Sequence, residues 1–148
     1  VSGSLGSENT IESFDIGKLS LLPLICYESV YGDLNTAKFF DVMCIITNDG
    51  WWKKTAGYKQ HFSYSKLRAI EQYRSIIRCA NTGISGFISS KGEVKELAGW
   101  DEQKVLKSQV DVYNTVTFYN TYGDYLGRLS SFISSIFILM IFVKSKIK

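Results

Sequence analysis

The chain is expected to form an α/β domain followed by one C-terminal transmembrane helix, and three kinds of stretch carry that expectation. Leu19 to Cys26 (LSLLPLIC) and Val42 to Thr47 (VMCIIT) are continuous apolar runs of strand length, the pattern of strands covered on both faces. Lys59 to Tyr73 has helical spacing, with Phe62, Leu67 and Ile70 placed to share one buried face. Leu129 to Val143 (LSSFISSIFILMIFV) holds no charge, and its only polar residues are serines, which can bond back to their own helix carbonyls.

In chain order, residues 1–10 are small and polar and are expected to be a loop. The strand at Leu19 follows, with Pro23 costing it one backbone donor. A short helical stretch is expected from Asn35 to Phe40, so that strand, helix and strand make a parallel crossover unit with Val42 to Thr47. An aromatic loop, Asn48 to Tyr58, leads to the helix. Ser75 to Ala80 and Ile84 to Ser89 read as strands flanking the turn Asn81-Thr82-Gly83, and Ser90 to Glu93 as a hairpin turn into Val94 to Leu97. Lys104 to Val116 is a further extended segment. The expected division is a domain over 1–125, a membrane helix over 126–143 and a basic tail over 144–148.

With 45% hydrophobic residues in 148, the chain can bury a core; because it opens on Val1 rather than Met, it is expected to continue upstream. Lys and Arg number 17 against 14 Asp and Glu, and Lys144, Lys146 and Lys148 account for the excess. A neutral body without a cationic stripe offers nothing to displace phosphate counterions, which sets nucleic acid aside as a partner. Cys26, Cys44 and Cys79 show no Cys-x-x-Cys spacing and His61 is the single histidine, so neither a disulfide framework, a metal site nor a cofactor is expected. The C-terminal segment has no polar helical face, unlike a buried core helix, and every charge after it is a lysine. Lysines directly after a span mark the cytoplasmic side, which puts the preceding domain outside the cytosol, periplasmic on a bacterial inner membrane.

The candidate chemistry centres on Cys26. It ends an apolar strand and is followed by Tyr27, Glu28, Ser29 and turn formers, so its thiol is expected to project from a strand-to-helix turn. The N–H of Tyr27 is then placed to bind the oxyanion of a tetrahedral intermediate. A small buried hydrophobe is the alternative for a free cysteine. Asn48 and Asp49 end the second strand, on the side where α/β sheets bind ligands, although turn chemistry explains them equally well. Trp51 and Trp52 are candidates either for core anchoring or for contact with an acyl chain or the membrane interface. His61 is read as a satisfied helix histidine, Arg78 as pairing Glu71 or bracing the Asn81 turn, Cys44 and Cys79 as packing residues, and Asp124 as a boundary residue.

Several strings, in order, resemble the apolipoprotein N-acyltransferase family of the nitrilase superfamily. They are Leu24-Ile25-Cys26-Tyr27-Glu28-Ser29, Ile45-Ile46-Thr47-Asn48-Asp49-Gly50-Trp51-Trp52, Gln60-His61 with Leu67-Arg68-Ala69-Ile70-Glu71, Arg78-Cys79-Ala80-Asn81-Thr82-Gly83-Ile84-Ser85, and Thr117-Phe118-Tyr119 with Tyr122-Gly123-Asp124. The resemblance implies the C-terminal part of an αββα sandwich, with Cys26 as nucleophile and Glu28 as a supporting carboxylate; a helix-start carboxylate is the alternative for Glu28. It implies transfer of an acyl chain from a phospholipid, through a cysteine thioester, to the N-terminal diacylglyceryl-cysteine of a lipoprotein. The family's general-base Glu and its Lys lie upstream of the nucleophile, and Glu12 and Lys18 do not sit in the family's motifs. The 148-residue chain alone is therefore expected to be inactive. Hydrolysis of carbon–nitrogen bonds and an inactive membrane-bound relic are the competing expectations.

Overall fold

A computed structural model describes residues 11–32 and 39–147. The polar stretch 1–10 and residues 35–38 of the expected short helix lie outside the described residues; Phe39 and Phe40 lead non-helically into the next strand. Among the described residues six strands form one mixed sheet in sequential order: β1 (Phe14–Ile16), β2 (Leu19–Ile25), β3 (Val42–Thr47), β4 (Ser75–Ala80), β5 (Ser85–Ile88) and β6 (Val94–Ala98). β2, β3 and β4 are parallel, while β1, β5 and β6 add antiparallel.

The short β1, joined to β2 through Gly17 at φ +65°, has no counterpart in the sequence reading. It pairs β2 only as far as Leu21, so among the described residues the N–H that Pro23 lacks falls where that edge of β2 has no ladder to make. Lys104 to Val116 joins no strand; it is tied down by Ser75, whose hydroxyl donates to the Asp111 carbonyl at 2.8 Å, and by Arg74. Arg74 donates to the Phe40 and Thr115 carbonyls at 2.7 and 2.8 Å and so clamps the start of β3 to that segment.

One face of the sheet packs on α1 (Ala56–Gln72). The core between them contains Leu22, Leu24, Phe40, Met43, Ile45, Phe62, Ala69, Ile76 and Ile88. α1 starts three residues before the expected Lys59, capped by Thr55, whose hydroxyl accepts from the Gly57 amide at 3.3 Å. Its inward face also differs from expectation. Phe62 is buried, but Leu67 and Ile70 stand 42% and 52% exposed, and the helix turns His61, Ser65, Arg68 and Gln72 inward. A stripe found by apolar spacing misses a helix whose inner face serves a buried polar cluster.

The sheet's other face carries Ile25, Ile46 and Cys79, all exposed. The apolar runs were expected to be covered on both faces; among the described residues this second face is covered only at its start, where Val42 and Ser75 are buried and the Asp111 segment crosses, and is open toward Ile25, Ile46 and Cys79. Among the described residues Cys79 is thus exposed rather than packed, unlike the packing residue expected. Cys44 lies on the same open face, half-buried, and burial pushes its thiol pKa up from 9.0.

Two helices close the chain, α2 (Phe118–Tyr122) and α3 (Tyr125–Ile147). Thr117 caps α2, accepting from the Asn120 amide at 3.0 Å while its hydroxyl donates to the Glu71 carbonyl of α1. Asp124 accepts from the Gly127 amide at 2.9 Å and satisfies one of the open donors at the start of α3. Within Tyr125–Lys146 the most apolar 18-residue window has a mean hydropathy of 2.0, and none of it is buried. The 22 residues from Tyr125 to Lys146, about 33 Å at the α-helical rise, are long and apolar enough to cross a bilayer. Lys144 and Lys146 lie in its last turn, so the basic tail continues the helix.

Candidate active site

Parallel register brings Leu24, Ile45 and Arg78 into one row, so the C-terminal ends of β2, β3 and β4 deliver Cys26, Thr47 to Asp49, and Ala80 to Asn81 to one edge of the sheet. Cys26 opens a 3-10 turn (Cys26–Val30) at φ +53°. A side chain in this left-handed region costs on the order of 1 kcal/mol, so the surroundings must hold it there. Ser29 does so from within the turn, donating to the Cys26 carbonyl at 2.8 Å. The thiol itself is half-buried, and the Thr47 hydroxyl lies 3.3 Å from Sγ.

Behind the turn is a buried charge cluster. Asp49 is fully enclosed; one of its oxygens accepts from Arg78 Nη2 at 2.8 Å, and the other lies 2.9 Å from both the Thr47 hydroxyl and His61 Nδ1. Arg78 also donates to Ser65 and to the Ile84 carbonyl, each at 3.1 Å. His61, 2% exposed, reaches forward with Nε2 to the Ser29 hydroxyl at 3.1 Å and the Cys26 carbonyl at 3.2 Å. A carbonyl can only accept, so Nε2 carries a proton; Nδ1 lies between the Asp49 carboxylate at 2.9 Å and Arg78 Nη2 at 3.0 Å. Gly83, at φ +118°, leaves the space that Asp49 fills; a Cβ there would collide with the carboxylate.

This constellation, with a thiol on a left-handed residue at the mouth of a parallel sheet, sits within a recognised sequence family. The carbon-nitrogen hydrolase model matches residues 2–119. The chain belongs to the carbon-nitrogen hydrolase family. Among curated relatives, it is 31% identical to the apolipoprotein N-acyltransferase of Chlorobaculum tepidum over 147 residues, covering 95% of this chain and 28% of that protein. The same-named proteins of Rickettsia prowazekii and Rhizobium leguminosarum bv. trifolii are 33% and 44% identical, over 76% and 57% of this chain and 23% and 16% of theirs. The chain thus spans about a quarter or less of the length of these relatives. Among solved structures, a CN-hydrolase superfamily protein of Xanthomonas campestris and a carbon-nitrogen hydrolase of Helicobacter pylori superpose with TM-scores of 0.56 and 0.57 at 16% and 13% identity. They cover 66% and 67% of this chain and 43% of each of those chains. The fold is therefore the nitrilase-like α/β fold.

Within this carbon-nitrogen hydrolase site the residues singled out from sequence fall into separate places. Tyr27 follows the cysteine in the first turn of the 3-10 segment, its ring 6.0 Å from that of His61. The Glu28 carboxylate accepts from the Ile25 amide at 2.6 Å, the geometry of a helix-start carboxylate beside the nucleophile. Asn48 is exposed and accepts from the Gly50 amide at 3.1 Å, capping a second 3-10 turn (Asp49–Trp52). Asp49 differs from the ligand contact expected of it, because its carboxylate is committed to internal partners. The two tryptophans part company. Trp52 packs on His61 with ring centroids 5.0 Å apart, a fit that glycine at position 57 permits, whereas Trp51 is 83% exposed.

His61 is a satisfied helix histidine, as read from sequence. Arg78 pairs with Asp49 rather than Glu71, which instead pairs with Arg68 at 3.1 Å. Thr47 and Ser29 were missed as site residues; the one available signal was that both lie inside the motif strings that Cys26 and Asp49 share.

The cluster predicts an acid-labile fold. Burial alone would raise the Asp49 pKa, but hydrogen bonding from His61, the charge of Arg78 and the Thr47 hydroxyl outweigh it and hold the carboxyl below 3.8. A depressed folded-state pKa contributes stability that is present above the unfolded value and is lost as pH falls through the folded one. Thermal melts at decreasing pH are expected to show the melting temperature falling below about pH 4, and Asp49→Asn should flatten that slope.

Proposed function

We propose that the protein carrying this sequence is an N-acyltransferase that moves an acyl chain from a phospholipid, through a thioester on Cys26, to the α-amine of the diacylglyceryl-cysteine at the start of a lipoprotein. The observation that carries the proposal is a thiol presented on a left-handed residue at the sheet's C-terminal edge, in a chain whose final helix is long enough to span a membrane. The names of its curated relatives support the same reading.

In the first half-reaction the Cys26 thiolate attacks the ester carbonyl carbon; the carbon–oxygen bond breaks, and the lysophospholipid leaves as an alcohol after taking up a proton. In the second the amine attacks the thioester carbonyl, the carbon–sulfur bond breaks, the amine loses a proton and the thiolate returns. A thioester keeps the acyl group reactive toward an amine, and a shared covalent intermediate gives ping-pong kinetics. The Tyr27 amide is assigned to the oxyanion, Glu28 to support of the reacting groups and Asn48 to the rim of the site. Trp51, free of internal packing, is assigned to the acyl chain or membrane interface and Trp52 to the wall over His61. Asp49 acts behind the site. Lysines at the end of α3 support an orientation with that end in the cytosol and the domain outside it.

The test incubates the native polypeptide carrying this sequence with phospholipid vesicles, quenches in acid and seeks an acyl adduct by intact mass spectrometry. A hydroxylamine-labile adduct mapping to Cys26, discharged onto a diacylglyceryl-cysteine peptide, is the expected result. An adduct discharged only to water would instead support a carbon–nitrogen hydrolase, and absence of any adduct would support an inactive relic.

A further inference from the structure

His61 belongs to no step of the chemistry above, yet among the described residues it is the one side chain whose hydrogen bonds reach both the nucleophile's backbone and the buried ion pair. Its Nε2 lies 3.2 Å from the Cys26 carbonyl and 3.1 Å from the Ser29 hydroxyl, which itself holds that carbonyl. Its Nδ1 lies 2.9 Å from Asp49, whose other oxygen holds Arg78 at 2.8 Å. The ring is closed over by Trp52 and Tyr27 and is 2% exposed, so water does not compete for these bonds. A residue at φ +53° is held only by what surrounds it, and here the tether runs from an ion pair between the turn after β3 and β4, through an imidazole on α1, to the carbonyl of the strained residue.

We propose that His61 is a positioning residue for Cys26: it transmits the fixed geometry of the Asp49–Arg78 pair to the nucleophile's backbone and so sets where Sγ points. This rests on Cys26 being the reactive thiol. It gives His61 a role other than general base, because the nitrogen nearest the nucleophile is occupied as a donor to a carbonyl and faces the backbone rather than the thiol. It also explains why the ends of three strands and one helix converge on a single peptide group. Misplacement of a reacting atom by about 1 Å is enough to cost on the order of 100-fold in rate.

The two ring nitrogens do different work, and amide side chains separate them. The amide nitrogen of Gln stands where Nε2 stands and retains the donor to the Cys26 carbonyl; that of Asn stands where Nδ1 stands and reaches only Asp49. The experiment measures alkylation by iodoacetamide, residue by residue, in the native polypeptide and its His61→Gln and His61→Asn variants. The exposed Cys79, on the far face of the sheet, serves as the internal reference. In this reaction the thiolate displaces iodide, and no acyl donor is needed. A missing lipid adduct would therefore overturn the proposed function while leaving this readout intact.

The expected result is a Cys26 to Cys79 rate ratio within about 10-fold of the unmodified protein for His61→Gln and about 100-fold lower for His61→Asn, with both variants folded by circular dichroism. Equal ratios in the two variants, or ratios unchanged in both, would overturn the proposal. If His61→Asn does not fold, Ser29→Ala decides. It removes the second tether on the Cys26 carbonyl and leaves the ion pair intact, so the ratio should fall about 10-fold; an unchanged ratio would count against the proposal.

Discussion

Cys26→Ala in the native polypeptide is expected to abolish the acyl adduct and lower acyl transfer on the order of 1,000-fold or more, because in the proposed function Cys26 carries the thioester. Cys44 cannot substitute, since it faces the open side of the sheet and burial keeps its thiol protonated to higher pH. Cys79 is exposed but lies on that same far face, away from the cluster behind Cys26. Cys26→Ser separates chemistry from geometry: any adduct it forms is an oxygen ester that resists hydroxylamine under conditions that cleave a thioester. The backbone supplies an independent check. Cys26 occupies φ +53°, so Cys26→Gly should melt higher than Cys26→Ala by the equivalent of about 1 kcal/mol while being equally inactive. Equal melting temperatures would mean that the left-handed residue is not strained, and the tethering role of Ser29 and His61 would lose its physical basis.

The second large effect belongs to the buried pair. Arg78→Met leaves the Asp49 carboxylate enclosed without its cation, and breaking a buried ion pair in this way costs roughly 3–5 kcal/mol. Against a total stability on the order of 5–15 kcal/mol, that loss is enough to lower the melting temperature by many degrees. Asp49→Asn strands the opposite charge, Arg78, whose pKa burial already pulls down from the usual guanidinium range against the opposing pull of Asp49. The double variant, with no lone buried charge, is expected to lose less than the sum of the two single losses. Denaturant melts of the four proteins give the coupling directly. Simple additivity would show that the two groups do not depend on each other, contrary to the 2.8 Å contact between them.

Legibility in the sequence followed the range of the forces involved. β2 and β3 were readable because nearest-neighbour hydrophobicity reports burial directly, and the readings came within a residue of the observed strands. α3 was readable for the same reason: its apolar surface needs no partner within the chain. The inner face of α1 was not readable, because its buried residues are His61, Ser65, Arg68 and Gln72, which bury only when a polar partner arrives from elsewhere in the fold. β1 has three exposed residues and exists through pairing with β2 alone, a contact that local pattern does not encode.

By itself, then, the sequence determined that this chain forms an α/β domain with a membrane-length helix, and it singled out Cys26, since motif strings and apolar runs are local properties. The tertiary structure decided which charged group met which. Arg78 had Glu71 and the Asn81 turn as candidate partners seven and three residues away, yet it bonds Asp49, 29 positions upstream, because parallel register sets the end of β3 beside β4. The same register turned Asp49 from a ligand contact into a buried brace and left His61 between that brace and the nucleophile. Residues at such separations meet only once strand order is set, and the low dielectric behind the sheet then makes each meeting energetically decisive.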